Sequence, residues 1–400
     1  MATSVEARQC AVESVPVYTI DLSRPPALRY TELVHDFRHK IPRLTDLFEE
    51  VVVGFGLPLE ATRRLAKLAL RRVHSKEQTE EIRGISEASG VDMYLLVCLN
   101  TLLDLFMGCT SGGARVKMGR AGNNKQTRML HFRTLDWAMD PLREVVVQLN
   151  FVKEPHGNII ARSITYVGFV GTLTAIRPGL SMSLNFRPYH NNSYSRTSNF
   201  RFHYHRMLVL LGRRPSISST LRSFLLPSDS SHGNGHMDTL AAVQRRLPSL
   251  PSTAAYLIFN DGQQTMVMEK DRVTAHTSIS SSFIAITNHD ASSDSNPAST
   301  TDSDAAKLAV TGMNEMVEES RDRMQCIESK WKKAEAAFKR RRKNVNQDDA
   351  DMPMSVTAAQ LVKWVEAWPI TNECTHYATI MDPSAGDFVY ITRYLEPVSE

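Results

Sequence analysis

The 400-residue sequence contains few cysteines, and they are widely separated. The five are Cys10, Cys98, Cys109, Cys326 and Cys374. No Cys-x-x-Cys pair occurs among them, so the usual spacing of a structural zinc site is absent. A small, odd number of thiols is typical of a reducing compartment, where a cysteine either fills space in the core or acts as a nucleophile.

Long apolar runs and an excess of one charge are also missing. No stretch of about 18 uninterrupted apolar residues predicts a transmembrane helix. The first 21 residues include Glu6 and Glu13 and no apolar run of signal-peptide length, which favours a cytoplasmic location. With 47 basic and 43 acidic residues, the chain is too balanced for a protein that binds nucleic acid through many phosphates.

What is present is a change of hydrophobic period along the chain. Residues 26–107 repeat apolar side chains every three or four positions, which predicts helices. Short β-rich runs separated by Gly, Asn, Asp and Pro follow Cys109, and a charged pattern from Glu315 to Lys343 predicts one more helix. These patterns predict an α+β protein with helices first and strands later, joined at Cys109.

The position of Cys109 in "FMGCTSGG" permits a particular reaction. If its thiol attacks the preceding carbonyl, that of Gly108, the peptide becomes a thioester, and water then leaves Cys109 as a new N-terminus. Gly108 lacks a Cβ, which eases the backbone distortion. The freed α-amino group, with a pKa near about 8, can take the thiol proton. The alternative is that Cys109 is an inert core residue.

Several segments resemble the acid ceramidase and N-acylethanolamine acid amidase family of N-terminal nucleophile hydrolases. They are "CTS", "HFRTLDW", "YVGFVGTLTAIRPGLSMSLN" and "AITNHD", with "VYTIDLSRPPALRYTELV" near the start and "THYATIMDPSAGDFVYI" near the end. The resemblance implies a four-layer αββα sandwich, cleaved between Gly108 and Cys109. An α-chain (residues 1–108) and a β-chain (residues 109–400) then form one intertwined fold, an α/β heterodimer without cofactor or metal.

The resemblance also implies roles for individual residues. Cys109 would be the nucleophile, Arg133 would favour its thiolate and position the substrate carbonyl, and Asp136 would bind its α-amino group. Asn288 would donate a hydrogen bond to the oxyanion, and Arg323, or alternatively Arg321, would supply a further arginine. Each residue also has a plainer interpretation: Arg133 as a surface ion pair, Asp136 as a loop cap and Asn288 as a turn cap.

Arg133 and Asp136 lie three positions apart, so they cannot both face inward on a regular strand; we expect one of them where the strand ends or bends.

The chain departs from the family pattern beside these residues. Thr134 and Trp137 replace an Asn and a Phe, Phe186 replaces a Glu, and His289 replaces a Tyr. We therefore expect an altered substrate pocket.

A further departure concerns targeting and disulfides. The better-known family members have secretory targeting, which makes the lysosome or vacuole the alternative location. Cys10 and Cys326 lie where the family joins its chains by a disulfide, and in a reducing cytosol they would stay as thiols.

The function implied is hydrolysis of the amide bond of an N-acylated lipid, of the ceramide or N-acylethanolamine type, through a thioester on Cys109. Two alternatives are an N-acyltransferase that passes the acyl group to an amine and a non-catalytic lipid-binding protein. A cluster of cations at helical spacing suggests contact with an anionic membrane, or else an ordinary exposed face. Its members are Arg63, Arg64, Lys67, Arg71 and Arg72.

Overall fold

A computed structural model describes most of the chain. The described ranges are 12–54, 56–102, 108–121, 124–188, 195–226, 237–290, 314–342 and 353–399. Cys10 lies outside them, so its predicted thiol state and its relation to Cys326 stay predictions.

The helices occur in three stretches of the chain. Before Cys109 these are α1 (Thr31–Phe37), α2 (Arg43–Gly54), α3 (Leu59–Ala69), α4 (Lys76–Ser89) and α5 (Met93–Leu102). The middle of the chain forms α6 (Arg196–Leu210), α7 (Ile217–Leu225) and α8 (Leu240–Arg246). Near the end are α9 (Asn314–Arg342) and α10 (Ala358–Val365).

The strands form two sheets. The first has the order β1 (Val12–Glu13), β15 (Asp387–Tyr394), β14 (Thr375–Asp382), β4 (Asn124–Asp136), β3 (Gly108–Ala121) and β12 (Phe283–Ile286), with β13 (Val356–Thr357) also paired to β3. The second has the order β11 (Ala275–Ser280), β10 (Thr265–Lys270), β9 (Ala255–Asn260), β8 (Leu180–Phe186), β7 (Thr174–Arg177), β6 (Ile159–Tyr166), β5 (Val146–Val152) and β2 (Val17–Asp21).

The segment before Cys109 is part of both sheets. β1 pairs antiparallel with β15 in the first sheet, and β2 pairs parallel with β5 in the second. The two segments that flank the predicted cleavage point are therefore interleaved. The division into an α-chain and a β-chain, and cleavage itself, stay predictions.

Side-chain alternation on β4 shows how the layers meet. Leu130 and Phe132 point outward and share a core with α9 and α10. His131 points the other way, and its two ring nitrogens contact the hydroxyls of Ser181 and Ser183 on β8, each at 2.9 Å. The two sheets therefore stack face to face.

Helices cover both outer surfaces of the stacked sheets. Helices α1, α4, α5 and α7 share a continuous apolar core with strands of the second sheet, and α9 and α10 pack on the first. The order helix, sheet, sheet, helix confirms the predicted α+β class and the αββα layering.

The expectation of helices first and strands later is wrong in its details. Helices α6, α7 and α8 lie between β8 and β9, and β1 and β2 precede the first helix. The helix predicted from Glu315 to Lys343 is confirmed as α9. Within the described ranges, no helix combines the length and apolar character needed to span a membrane.

Candidate active site

Cys109 lies near the start of β3, in the layer between the two sheets, and its side chain is fully buried. Arg133 Nη2 donates a hydrogen bond to its Sγ at 3.3 Å. Burial raises the pKa of the Cys109 thiol to about 11, although the positive charge of Arg133 acts to lower it. In the intact chain the thiol is therefore protonated at neutral pH.

Arg133 is held between the sheets by backbone carbonyls. Its Nη1 donates to the carbonyl oxygen of Leu184 on β8 at 2.7 Å and to that of Leu173 at 3.3 Å. The side chain is fully buried, which excludes a surface ion pair. A guanidinium anchored by carbonyls through Nη1 keeps its Nη2 directed at the Cys109 sulfur.

Asp136 is the last residue of β4 and lies opposite Gly108 in the β3–β4 register. The register with β14 is irregular here, shifting between Thr375 and Tyr377. This irregularity confirms the expectation that one residue of the Arg133 and Asp136 pair lies where the strand ends or bends. Asp136 therefore approaches the Gly108–Cys109 peptide from the end of the strand.

The carboxylate of Asp136 is buried and only partly satisfied. Its Oδ1 accepts a hydrogen bond from Thr375 Oγ1 at 2.7 Å. Its Oδ2 has no hydrogen-bond partner among the described residues and lies 3.8 Å from Arg323 Nη1. Burial raises the pKa of Asp136, while Arg323 and Thr375 act in the opposite direction. A carboxylate with a raised pKa is a stronger base than one in water.

Asn288 contacts the nitrogen of Cys109 through its oxygen. Its Oδ1 accepts from the Cys109 backbone N–H at 2.8 Å and from Arg323 Nη2 at 2.8 Å. Its Nδ2 donates to the carbonyl of Phe186 at 2.8 Å. Because both partners of Oδ1 can only donate, the orientation of this amide is well determined. Asn288 is thus more than a turn cap, and the contact with Cys109 uses its acceptor rather than the predicted donor.

Arg323, rather than Arg321, is the arginine at this site. Both lie on α9, but Arg323 is 3% exposed and contacts Asn288 and Asp136, whereas Arg321 is exposed. A Cβ added to Gly108 would lie 3.3 Å from Asp136 Cβ and 3.7 Å from Arg323 Nη1. The residue before the predicted cleavage point therefore fits closely beside these two charged groups.

The structure brings all five predicted site residues around one peptide bond. Arg133 contacts the sulfur of Cys109, Asn288 contacts its nitrogen, and Asp136 and Arg323 flank Gly108. Within the described ranges, no group of three His, Cys, Asp or Glu side chains is arranged to hold a metal ion.

Two residues that hold groups of the site in place were not predicted from the sequence. Thr375 holds Asp136 Oδ1, and Asn185 is buried where β3, β8 and β12 approach one another. Asn185 accepts from Ser111 Oγ at 2.7 Å and donates to the carbonyls of Ile286 and Thr287. The run "LSMSLNF" alternates apolar residues with Ser181, Ser183 and Asn185, so no local pattern singles out Asn185, and none singles out Thr375.

The positions that depart from the family pattern surround the site. Phe186 is buried and its carbonyl holds Asn288. Trp137 packs edge-on against Tyr166 at 6.0 Å between ring centroids, and its carbonyl contacts His376 Nε2 at 2.8 Å. His289 is buried directly after Asn288. These replaced residues therefore contact a site residue or directly follow one in the chain.

The sequence of this chain is similar to those of known proteins. A family model described as the beta subunit of N-acylethanolamine-hydrolyzing acid amidase matches residues 13–74. The N-acylethanolamine-hydrolyzing acid amidase of Caenorhabditis elegans is 29% identical over 181 residues, 42% of this chain and 47% of that protein. The chain is thus similar to members of the acid ceramidase and N-acylethanolamine-hydrolyzing acid amidase family. The acid ceramidase of Mus musculus is 27% identical over 203 residues, 45% of this chain and 48% of that protein.

Two further facts describe how far this similarity extends along the chain. The chain spans about half the length of the curated relatives it matches. The matched family model carries the name of a beta subunit, although residues 13–74 precede Cys109 and belong to the segment that we labelled the α-chain. A solved structure of the Caenorhabditis elegans N-acylethanolamine-hydrolyzing acid amidase ortholog covers 69% of this chain and 93% of its own, at 20% identity and a TM-score of 0.44.

Proposed function

We propose that this chain is a member of the acid ceramidase family, cleaves itself between Gly108 and Cys109 and then hydrolyses the amide bond of N-acylated lipids. The observation that supports this most strongly is that Arg133 and Asn288 both contact one cysteine residue, while Arg323 holds the side chain of Asn288. An inert core cysteine would have no need of two buried guanidinium groups nearby, because burying charge is costly.

Self-cleavage would begin with Asp136 as the base. The carboxylate takes the thiol proton of Cys109, Sγ bonds to the Gly108 carbonyl carbon, and the bond from that carbon to the Cys109 nitrogen breaks. The proton passes to the departing nitrogen, which Asn288 Oδ1 already holds. Water then splits the thioester, which leaves a carboxylate on Gly108 and restores the thiol.

Turnover would use the freed α-amino group of Cys109 as the base. The thiolate, stabilised by Arg133, attacks the acyl carbonyl of the substrate, and the α-ammonium group protonates the leaving amine. Water then releases the fatty acid. Asn288 would have two roles. Its Oδ1 orients the α-amino nitrogen of Cys109. Its NH₂ group donates one hydrogen to the Phe186 carbonyl, and the other hydrogen is the donor assigned to the oxyanion.

Trapping the acyl-enzyme tests this proposal. Purified protein is mixed with a ceramide or an N-acylethanolamine, quenched in acid and examined by mass spectrometry. We expect the fragment that begins at Cys109 to gain one acyl group, and Cys109→Ala to gain none. Failure to acylate with any N-acyl lipid, in a chain that has cleaved itself, would contradict the substrate assignment.

An added amine separates the two catalytic alternatives. Hydrolysis releases free fatty acid at a rate that does not depend on the amine, whereas an N-acyltransferase forms a new amide in proportion to its concentration. A chain that stays uncleaved and binds the lipid without forming a thioester would instead be a lipid-binding protein.

The proposed membrane contact involves fewer cations than the five that the sequence indicates. Arg63 forms ion pairs with Glu49 and Glu60, and Lys67 pairs with Asp92 at 3.1 Å. These two cations of the predicted face are therefore already engaged by carboxylates.

The exposed surface of α3 is partly apolar. Leu65 and Leu68 are 66% and 65% exposed, and Arg64, Arg71 and Arg72 are exposed around them. Apolar side chains bordered by cations fit an anionic lipid surface. We expect binding to phosphatidylserine vesicles and weaker binding by Leu65→Ser/Leu68→Ser. Val389→Ser, at an exposed site on β15, is the control, and equal binding by all three proteins would contradict the assignment.

A further inference from the structure

Asn288 lies just after β12, in a turn that packs against helix α9. Residues Thr287, Asn288 and His289 are each 0–1% exposed. Helix α9 faces this turn with Ser320 and Arg323, which are separated by about one helical turn and therefore lie on the same side of the helix. Arg323 holds the Asn288 side chain, so the same helix side could also hold its backbone.

The hydroxyl of Ser320 makes that backbone contact. Its Oγ accepts a hydrogen bond from the Asn288 N–H at 2.7 Å. It also lies 2.7 Å from His289 Nδ1 and 2.8 Å from Thr287 Oγ1, and Thr287 Oγ1 donates back to the Ser320 carbonyl at 3.0 Å. Ser320 is fully buried. One hydroxyl therefore contacts three consecutive residues centred on Asn288.

The hydrogen bond from the Asn288 N–H to Ser320 does not depend on whether His289 Nδ1 carries a proton. A hydroxyl has one proton and two acceptor positions, and the Asn288 N–H takes one of the latter. The Ser320 hydroxyl donates to Thr287 Oγ1 at 2.8 Å. When His289 Nδ1 is protonated, it donates to the second acceptor position of Oγ; when it carries no proton, it accepts the Ser320 proton in place of Thr287. The Asn288 contact is kept in both arrangements.

We propose that Ser320 is a positioning residue for the active site, acting through Asn288. Ser320 fixes the backbone nitrogen of Asn288 and Arg323 fixes its side-chain oxygen, so that Oδ1 stays directed at the Cys109 nitrogen. The catalytic consequence rests on the proposed function, whereas the positional claim does not. No pattern in the sequence identifies this serine of α9 as part of the site.

The positional claim is tested by hydrogen exchange at the Asn288 backbone amide. In Ser320→Ala this amide loses its acceptor, so its exchange should accelerate at least about tenfold. Ser329→Ala is the matched control, because Ser329 lies on the same helix and its hydroxyl contacts the carbonyl of Cys326. Unchanged exchange in Ser320→Ala would overturn the assignment. If that variant does not fold, Ser320→Cys, which keeps a weak acceptor, should exchange faster than wild type.

The catalytic consequence has its own readout. Loss of the Ser320 hydroxyl should lower both the self-cleavage rate and kcat by about tenfold, with KM unchanged, since Ser320 is fully buried and acts only through the Asn288 backbone. Ser320→Thr retains the hydroxyl and should recover most of both rates. A fall in thermal stability with unchanged rates in the folded fraction would mean a merely structural role and overturn the proposal.

Failure of the two proposals can be told apart. If the wild type turns over no N-acyl lipid while Ser320→Ala accelerates exchange at Asn288, the proposed function fails and the positional role of Ser320 stands. If wild type is active and neither exchange nor rate responds to Ser320→Ala, the positional role is overturned alone.

Discussion

Replacing Glu81 by glutamine should destabilise the protein strongly, because Glu81 is a buried carboxylate shared by two arginines. It is fully buried on α4. Arg222 donates to it through both Nη atoms, at 2.6 and 2.7 Å, and Arg29 Nη1 donates at 2.9 Å. Arg29 and Glu81 precede Cys109, whereas Arg222 follows it on α7. The cluster therefore joins the two segments that self-cleavage would separate.

The magnitude follows from what the substitution leaves behind. Glutamine keeps one acceptor but no charge, so the buried guanidinium group of Arg222 loses its counter-ion, while Arg29 keeps its ion pair with Glu77. Removing one partner of a buried ion pair costs about 3–5 kcal/mol. The matched control is Glu80→Gln on the same helix. Glu80 pairs with Arg83, both are substantially exposed at 34% and 48%, and such a surface pair contributes at most about 0.5 kcal/mol.

Urea unfolding followed by circular dichroism measures both variants in the uncleaved state, for which Cys109→Ala provides the background. Gel filtration of the cleaved protein in mild urea then tests whether the two fragments separate earlier in Glu81→Gln. A free energy of unfolding within about 1 kcal/mol of the Glu80→Gln value would refute the reasoning.

Three further predictions concern the site. Arg323→Gln should slow self-cleavage by about a hundredfold, because it frees Asn288 Oδ1 and removes the cation beside Asp136, whereas Arg321→Gln should leave the rate near wild type; equal rates for the two variants, measured by fragment mass, would contradict the geometry. In the uncleaved chain, alkylation of Cys109 should be slow at pH 7 and rise toward pH 11, since burial raises the pKa of this thiol to about 11. Arg133→Gln should shift that rise to higher pH. Fast, pH-independent labelling in peptide mass spectra would argue against a buried protonated thiol. Gly108→Val should slow self-cleavage without unfolding the chain, because a Cβ at this position lies 3.3 Å from Asp136 Cβ and the added methyl groups crowd the same side chain. A wild-type rate would show that this contact is unimportant.

Local patterns predicted part of this site well. The three-residue spacing of Arg133 and Asp136 required a strand end or bend, and Asp136 does end β4 opposite an irregular register. The same reasoning could not choose between Arg321 and Arg323, because both choices fit a helix and only packing decides which side of α9 meets the sheet.

Tertiary context explains most of what the sequence did not predict. Helix α6 was missed because its apolar period is weak: it buries Phe202 and Val209 together with His205, and exposes Phe200 and Tyr204. The atom of Asn288 that faces Cys109 was also unpredictable, since it depends on Phe186 and Arg323, which are far apart in sequence. Long-range partners of this kind leave no local pattern.

The intact mass of the purified protein tests the central claim most directly. The wild type and Cys109→Ala are incubated at pH values from about 4.5 to 8 and measured under reducing, denaturing conditions. We predict two wild-type fragments, one ending at Gly108 and one beginning at Cys109, and a single chain for Cys109→Ala. A wild type that stays as one chain at every pH would contradict self-cleavage and the N-terminal nucleophile mechanism built on it.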